Sequence, residues 1–240
     1  MKKTIILSFI IISVSAVCQT NVVSKIPLVD TTFSVKLTGS FFIERKQFVG
    51  QQYYNQDWSK GDILLNTGEK LTDILLKYNG LYDELIWLNT FNYGIFKLDK
   101  PAIKEFWLKT GNGSAHHFKQ LKIYTTLDSI QNTFAELLID NKVSLFAQRK
   151  IEIQGLQYVT VNKVRQKYDN LVATPVYYFK LPLNQYISLE KPNRKKVLSL
   201  FPENKKVITK IINDNRLNLK RESDLVRLVE LINENQLFSK

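Results

Sequence analysis

One cysteine, Cys18, and two histidines, His116 and His117, are all the thiol and imidazole ligands that 240 residues offer a metal. The two histidines are adjacent, so on a strand they point to opposite faces and cannot easily share an ion. No HExxH or paired-cysteine spacing accompanies them, and no metal site is expected. A Gly-x-Ser-x-Gly elbow is also missing, and no serine, histidine and acid combine on spacing alone. Gly111-x-Gly113 has the look of a phosphate loop but is followed by a strand-like segment rather than a helix, so turn chemistry accounts for it. No catalytic, cofactor-binding or metal-ligating residue is therefore assigned, and no cofactor is expected.

Long apolar runs are equally scarce, with one exception. Lys2 and Lys3 precede an apolar stretch from Ile5 to Ile12, and small residues follow at Ser13, Ser15 and Ala16. That is the layout of a secretory signal peptide over residues 1–18. Cleavage before Gln19 removes the cysteine. The alternative makes Cys18 a lipid-bearing first residue, but that pattern wants Leu three places before it and Gly or Ala just before it. Here Ser15 and Val17 stand there, so plain cleavage fits better. No later segment reaches the roughly 20 apolar residues of a membrane-spanning helix. The expectation is an exported protein, periplasmic or associated with an outer membrane, with no transmembrane span after the leader is removed.

Without a cysteine pair, export leaves packed apolar surface as the means of holding the fold. Fourteen Phe, eleven Tyr and three Trp supply it. The formal charge is +12, and loss of Lys2 and Lys3 with the leader leaves +10. Inside a cell that balance would suggest nucleic acid. Outside it, anionic lipid headgroups, acidic polysaccharide or another envelope protein are the fitting partners, and nucleic acid is not. The lysines are spread along the chain, which also suits a surface that merely aids solubility.

Patterning gives an α+β protein: a mostly antiparallel β meander over residues 19–190, followed by a helical segment over 191–240 that packs on the sheet. Strands are expected at Phe33–Leu37, Gly61–Asn66, Leu71–Tyr78, Tyr82–Leu88, Ile95–Leu98, Ile103–Thr110 and His117–Ile123. Further strands follow at Phe134–Ile139, Val143–Arg149 and Ile151–Val161, with Val176–Leu181 the last. Asn79-Gly80 reads as a type I′ reversal, in which both central residues need positive φ. Lys163–Leu171 is polar and reads as a loop. Short helices are expected around Val197–Leu200, after Pro202, and from Ser223 onward.

Two groups of charged residues could carry function. Arg194, Lys195, Lys196, Lys205, Lys206 and Lys210 lie on the helices and could face an anionic membrane or an acidic partner, or be only the wet side of those helices. Asp57, Asp62, Asp73, Asp83 and Glu84 fall within one meander, and two carboxylates about 5–10 Å apart could hydrolyse a glycoside.

The stretch Trp58–Leu88, with Lys-Gly-x-Ile, Asn-x-Gly-Glu, Leu-Lys-Tyr-Asn and Tyr-Asp-Glu-Leu, resembles a family of exported proteins from Bacteroidetes-type bacteria to which no activity is assigned. Tyr177-Tyr178, the Arg-Lys-Lys run, Leu200-Phe201-Pro202 and Lys-Arg-Glu-Ser-Asp-Leu are similar to that family's closing segment. The resemblance implies location and architecture, and no activity, cofactor or catalytic residue. The function expected is a non-catalytic envelope protein, a binding or scaffold module for a protein or anionic partner. The alternative is a glycan-directed hydrolase using paired carboxylates.

Overall fold

The computed structural model describes residues 37–44, 48–124, 130–182 and 186–238. The leader, Cys18 and the strand expected from Phe33, save for Leu37, lie outside the described residues. The architecture is α+β, dominated by antiparallel sheet. Its strands are β1 (Gly39–Phe41), β2 (Phe48–Val49), β3 (Ser59–Leu65), β4 (Lys70–Asn79), β5 (Glu84–Leu88), β6 (Ile95–Leu98) and β7 (Ile103–Lys109). They continue as β8 (Ala115–Tyr124), β9 (Ile130–Ile139), β10 (Ser144–Gln148), β11 (Ile151–Val161), β12 (Val164–Ala173), β13 (Val176–Lys180) and β14 (Tyr186–Glu190). Three helices follow: α1 (Arg194–Ser199), α2 (Lys205–Asp214) and α3 (Glu222–Glu234).

Eleven strands form one sheet in the order β1-β6-β5-β4-β3-β7-β8-β9-β10-β13-β14. Four ladder steps separate β4 from β9, about 19 Å on a flat sheet. Yet the rings of Tyr78 on β4 and Phe134 on β9 have centroids 6.4 Å apart. The sheet therefore curls hard around its own inner face, as right-handed strand twist allows. Inward residues of the adjacent strands β4, β3, β7, β8 and β9 fill the curl, among them Ile63, Leu76, Tyr78, Phe106, Phe118 and Phe134, all essentially without exposure. Phe106 and Phe118 stack at 4.7 Å and Phe134 meets Phe106 edge-on at 5.1 Å, the arrangements that aromatic quadrupoles favour.

The curl is fastened by Asp83, in the turn between β4 and β5. Its carboxylate accepts hydrogen bonds from Tyr78 Oη, Lys100 Nζ and Thr133 Oγ1, each at 2.8 Å, and from the Phe134 amide of β9 at 3.2 Å. A charge with this many donors can leave water without a large desolvation penalty.

At the other end of the sheet both faces are covered. All five residues of β10 are buried. Leu145, Ala147, Tyr177 and Phe179 meet α1–α3 through Val197, Phe201, Ile208, Ile212, Leu225, Leu228, Val229 and Ile232. Phe146, Tyr178, Val176, Leu121 and Ala135 pack on the reverse face. Each such helical side chain contributes about 2 kcal/mol by leaving water. α3 docks on the sheet through β9, β10 and β13.

Four local expectations are corrected. Asn79-Gly80 is not a type I′ turn: neither residue has positive φ, and Asp83, with φ 54°, makes the reversal. Gly80 is instead needed for close approach, because a Cβ there would stand 2.3 Å from the carbonyl oxygen of Arg149. Lys163–Leu171 is not a loop: Val164–Leu171 is most of β12, whose polar outer part, Val164–Lys167, is exposed on both faces. A further strand, β14, lies beyond Val176–Leu181, and α2 begins at Lys205 rather than directly after Pro202.

Gly80→Ala should lower unfolding free energy by about 3 kcal/mol, since backbone on the other side cannot give way. Gly111→Ala, with nothing within 4 Å and no positive φ to accommodate, should change it by less than about 0.5 kcal/mol, both variants being compared with wild type by urea titration.

Candidate anionic-partner surface and a buried ion network

Arg194, Lys195 and Lys196 open α1, and Lys205, Lys206 and Lys210 lie on α2; all six are exposed. Asn193 caps α1 by accepting the Lys196 amide at 3.0 Å, which fixes where the first three cations start. Lys206 and Lys210 stand one turn apart, opposite the buried Ile208 and Ile212. Lys196 Nζ donates to the Glu190 carbonyl at 2.8 Å. Among the described residues none of the six makes an ion pair with a carboxylate. The structure therefore brings the cations onto two neighbouring helices of one packed layer. Phe201, the aromatic between them in sequence, is buried beneath that layer rather than exposed beside it.

Of the five acids considered for glycoside hydrolysis, four are engaged by lysine, and Asp62 and Asp73 come together on the same Lys109. Asp62 lies 3.1 Å from Lys109 Nζ and 3.7 Å from Lys70, and Asp73 lies 2.7 Å from Lys109. Burial would raise the Asp62 carboxyl, but the Asp73 amide, Lys109 and Lys70 outweigh it and hold it below the usual value. That is the wrong direction for a general acid. Asp83 is the fastening of the curl, and Glu84 pairs with Lys97 at 3.2 Å. Asp57 lines an open cleft of about 840 Å³ together with Asn55, Trp58, Lys60 and Lys109.

His116 and His117 do point to opposite faces, and each finds a carboxylate. His117 Nε2 lies 2.6 Å from Glu105 on the outer face, with its ring stacked on Trp107 at 4.5 Å. His116 Nδ1 lies 2.6 Å from Glu136 and 3.0 Å from Tyr54 Oη. Each ring thus has its own carboxylate partner, on opposite faces of β8. No group of three or more His, Cys, Asp or Glu side chains able to hold a metal occurs among the described residues.

Glu136 belongs to the network that sequence reasoning missed. Arg149, just after β10, places Nε 2.5 Å from Glu136 Oε2, while Nη1 and Nη2 donate to Glu222 at 2.5 and 3.0 Å. Tyr177 Oη donates to Glu222 at 3.0 Å, and Tyr54 Oη donates to Glu136 at 3.3 Å. Glu222 is the first residue of α3, so one guanidinium ties the helix to the sheet. Its position also suits the positive end of the helix dipole. Burial would raise the Glu222 carboxyl, but hydrogen bonding and charge from Arg149 hold it below its usual value. Burial first, then Glu136, push the Tyr54 phenol far above its ordinary range despite the opposing charge of Arg149. A phenol so displaced is neither base nor nucleophile, and the network reads as a clamp rather than a reaction centre.

No helix among the described residues is long and apolar enough to cross a membrane. No protein-family model, curated protein or solved structure matches the chain.

Arg149→Met leaves Glu136 buried without its cation and should destabilise by about 3–5 kcal/mol in denaturant titration. Because the Glu222 carboxyl is lowered on folding, its contribution is complete above about pH 4.5 and is lost as pH falls through the lower, folded value. Wild type should therefore lose stability more steeply below pH 4.5 than Glu222→Gln, as followed by thermal melts from pH 6 to 3.

Proposed function

We propose that the chain is a non-catalytic exported module that attaches to an anionic partner of the cell envelope through Arg194, Lys195, Lys196, Lys205, Lys206 and Lys210. The observation that carries this reading is that these six exposed cations share a helical layer and lack carboxylate partners among the described residues. Unpaired like charges held on rigid elements repel one another, a standing cost that an anionic surface relieves. The layer beneath is apolar and tightly packed, so the cations sit on a platform rather than on a loose tail. The engaged state of Asp62, Asp73, Asp83 and Glu84 favours binding over hydrolysis.

Lys205→Glu, Lys206→Glu and Lys210→Glu together should weaken binding to phosphatidylglycerol vesicles or to soluble polygalacturonate by at least tenfold in sedimentation at about 0.05 M salt. Wild-type binding should fall as salt rises toward 0.5 M, because exposed charges are screened within a few ångströms there. Equal binding by the variant would refute the assignment.

A further inference from the structure

The strands β11 and β12 form with β2 a second, three-stranded sheet, and beyond β2 they run on as a two-stranded arm. Its last six pairs, from Leu156↔Asp169 to Val161↔Val164, extend about 20 Å at roughly 3.3 Å per residue. Beside it β2 pairs only with Asp169 and Asn170, at the base. The tip is a two-residue turn in which Asn162 and Lys163 have φ of 50° and 65°, the type I′ geometry that matches strand twist. A free hairpin of this size is marginal in water unless something covers it.

What it exposes is unusual. Leu156, Tyr158, Val161 and Val164 are all open to solvent, Val164 to 59%. Pairing register puts Leu156 and Tyr158 on one face and Val161 and Val164 on the other, so apolar side chains project from both. Between them stand Lys163, Arg165 and Lys167, and no acidic residue occurs from Ile153 to Tyr168. Arg165 lies over the Tyr158 ring at 4.2 Å. A flat protein surface would cover one face and leave the other wet. A medium that surrounds the tip would cover both.

We propose that the tip of the β11–β12 arm enters the interface of an anionic lipid bilayer, with Val161 and Val164 at the headgroup–acyl boundary and Lys163, Arg165 and Lys167 among the phosphates. Amphipathic elements rich in cations and aromatics settle at that depth, and tyrosine is favoured there. The ribbon's unpaired backbone edges confine it to the interface, since they cannot enter hydrocarbon. The inference rests on the reading that the partner is anionic, but it names a different element and a specific surface.

The test uses the mature chain, with Val161→Cys carrying an environment-sensitive nitrobenzoxadiazole label, and vesicles of phosphatidylcholine with or without phosphatidylglycerol. Blue-shifted, brighter emission only with the anionic vesicles, quenched by bromine placed high on the acyl chains, is the expected result. Replacing Lys163, Arg165 and Lys167 by Gln should weaken partitioning by about a hundredfold, at about fivefold per cation. Val161→Asp with Val164→Asp should reduce it at least tenfold while leaving the melting temperature unchanged. Unaltered emission on vesicles that still sediment the protein through its helical lysines would overturn the arm's role alone and turn attention to a grooved protein as its cover. Failure to bind vesicles, with polygalacturonate binding retained, would likewise remove the lipid assignment but not the anionic-partner reading. Loss of binding to both probes would remove both.

Discussion

The Arg149 guanidinium is the fixed point from which the rest is hung. Its planar fork reaches Glu136 on β9 and Glu222 at the head of α3, a bidentate geometry that lysine could not supply. The side chains it joins are 13 and 73 residues away in sequence, so it ties together sheet and helix that local propensity could not align. The same segment sets the arm. Immediately after Arg149 the Lys150 carbonyl accepts the Thr174 amide at 2.9 Å, and the Ile151 amide donates to Gly80 at 3.0 Å. The root of β11 and β12 is therefore locked against the end of β4, while everything beyond Leu156 projects freely. Rigid root and free tip come from one short stretch of chain.

Asp83 does for the curled half what Arg149 does for the helical half. Each is an ionised group taken largely out of water and surrounded by enough partners to make that tolerable. Such groups are weak sources of net stability, because the attraction they gain is set against desolvation. Their value is in selecting one arrangement: an apolar curl could close in several registers, but only one brings Asp83 to the Phe134 amide and the Thr133 hydroxyl together. Tyr78, pushed well above its ordinary pKa by burial and then by Asp83, stays a neutral donor at any physiological pH.

Much of this was legible in the residues. The meander from Ser59 to Leu88, the hairpin at Gly111–Gly113 and the amphipathic helices all follow from period-2 or period-3.6 patterns that bury one face. β12 was hidden for the opposite reason. A strand exposed on both sides needs no alternation, so Val-Arg-Gln-Lys-Tyr-Asp reads as loop although its partner gives it a ladder. β14 was obscured because Leu189 is its one buried side chain. The type I′ signal at Asn79-Gly80 misled because glycine answers two needs, positive φ and missing bulk, and only the fold reveals that the second applies. The turn that does take that geometry, Asn162-Lys163, has no glycine to announce it. The six helical cations could be read off directly, but the Arg149 clamp could not, since Tyr54, Glu136, Arg149 and Glu222 share no motif and meet only in space.

An exposed ribbon with apolar faces is ordinarily an aggregation hazard, since each unpaired edge is a template for another strand. Here the sequence supplies its own deterrent. Two copies meeting arm to arm would bring Lys163, Arg165 and Lys167 against their counterparts with no acid from Ile153 to Tyr168 to offset them, so repulsion opposes self-pairing while permitting approach to a negative surface. The same net charge that makes the chain basic thus sorts among its possible contacts: copies of itself are discouraged and anionic surfaces encouraged. In such a scheme the arm's apolar residues need not be strongly hydrophobic. Valine and tyrosine suffice, because electrostatic attraction brings the tip to the surface and modest burial holds it there. Larger residues at the tip would strengthen the hold, but would also enlarge the patch on which two copies could meet.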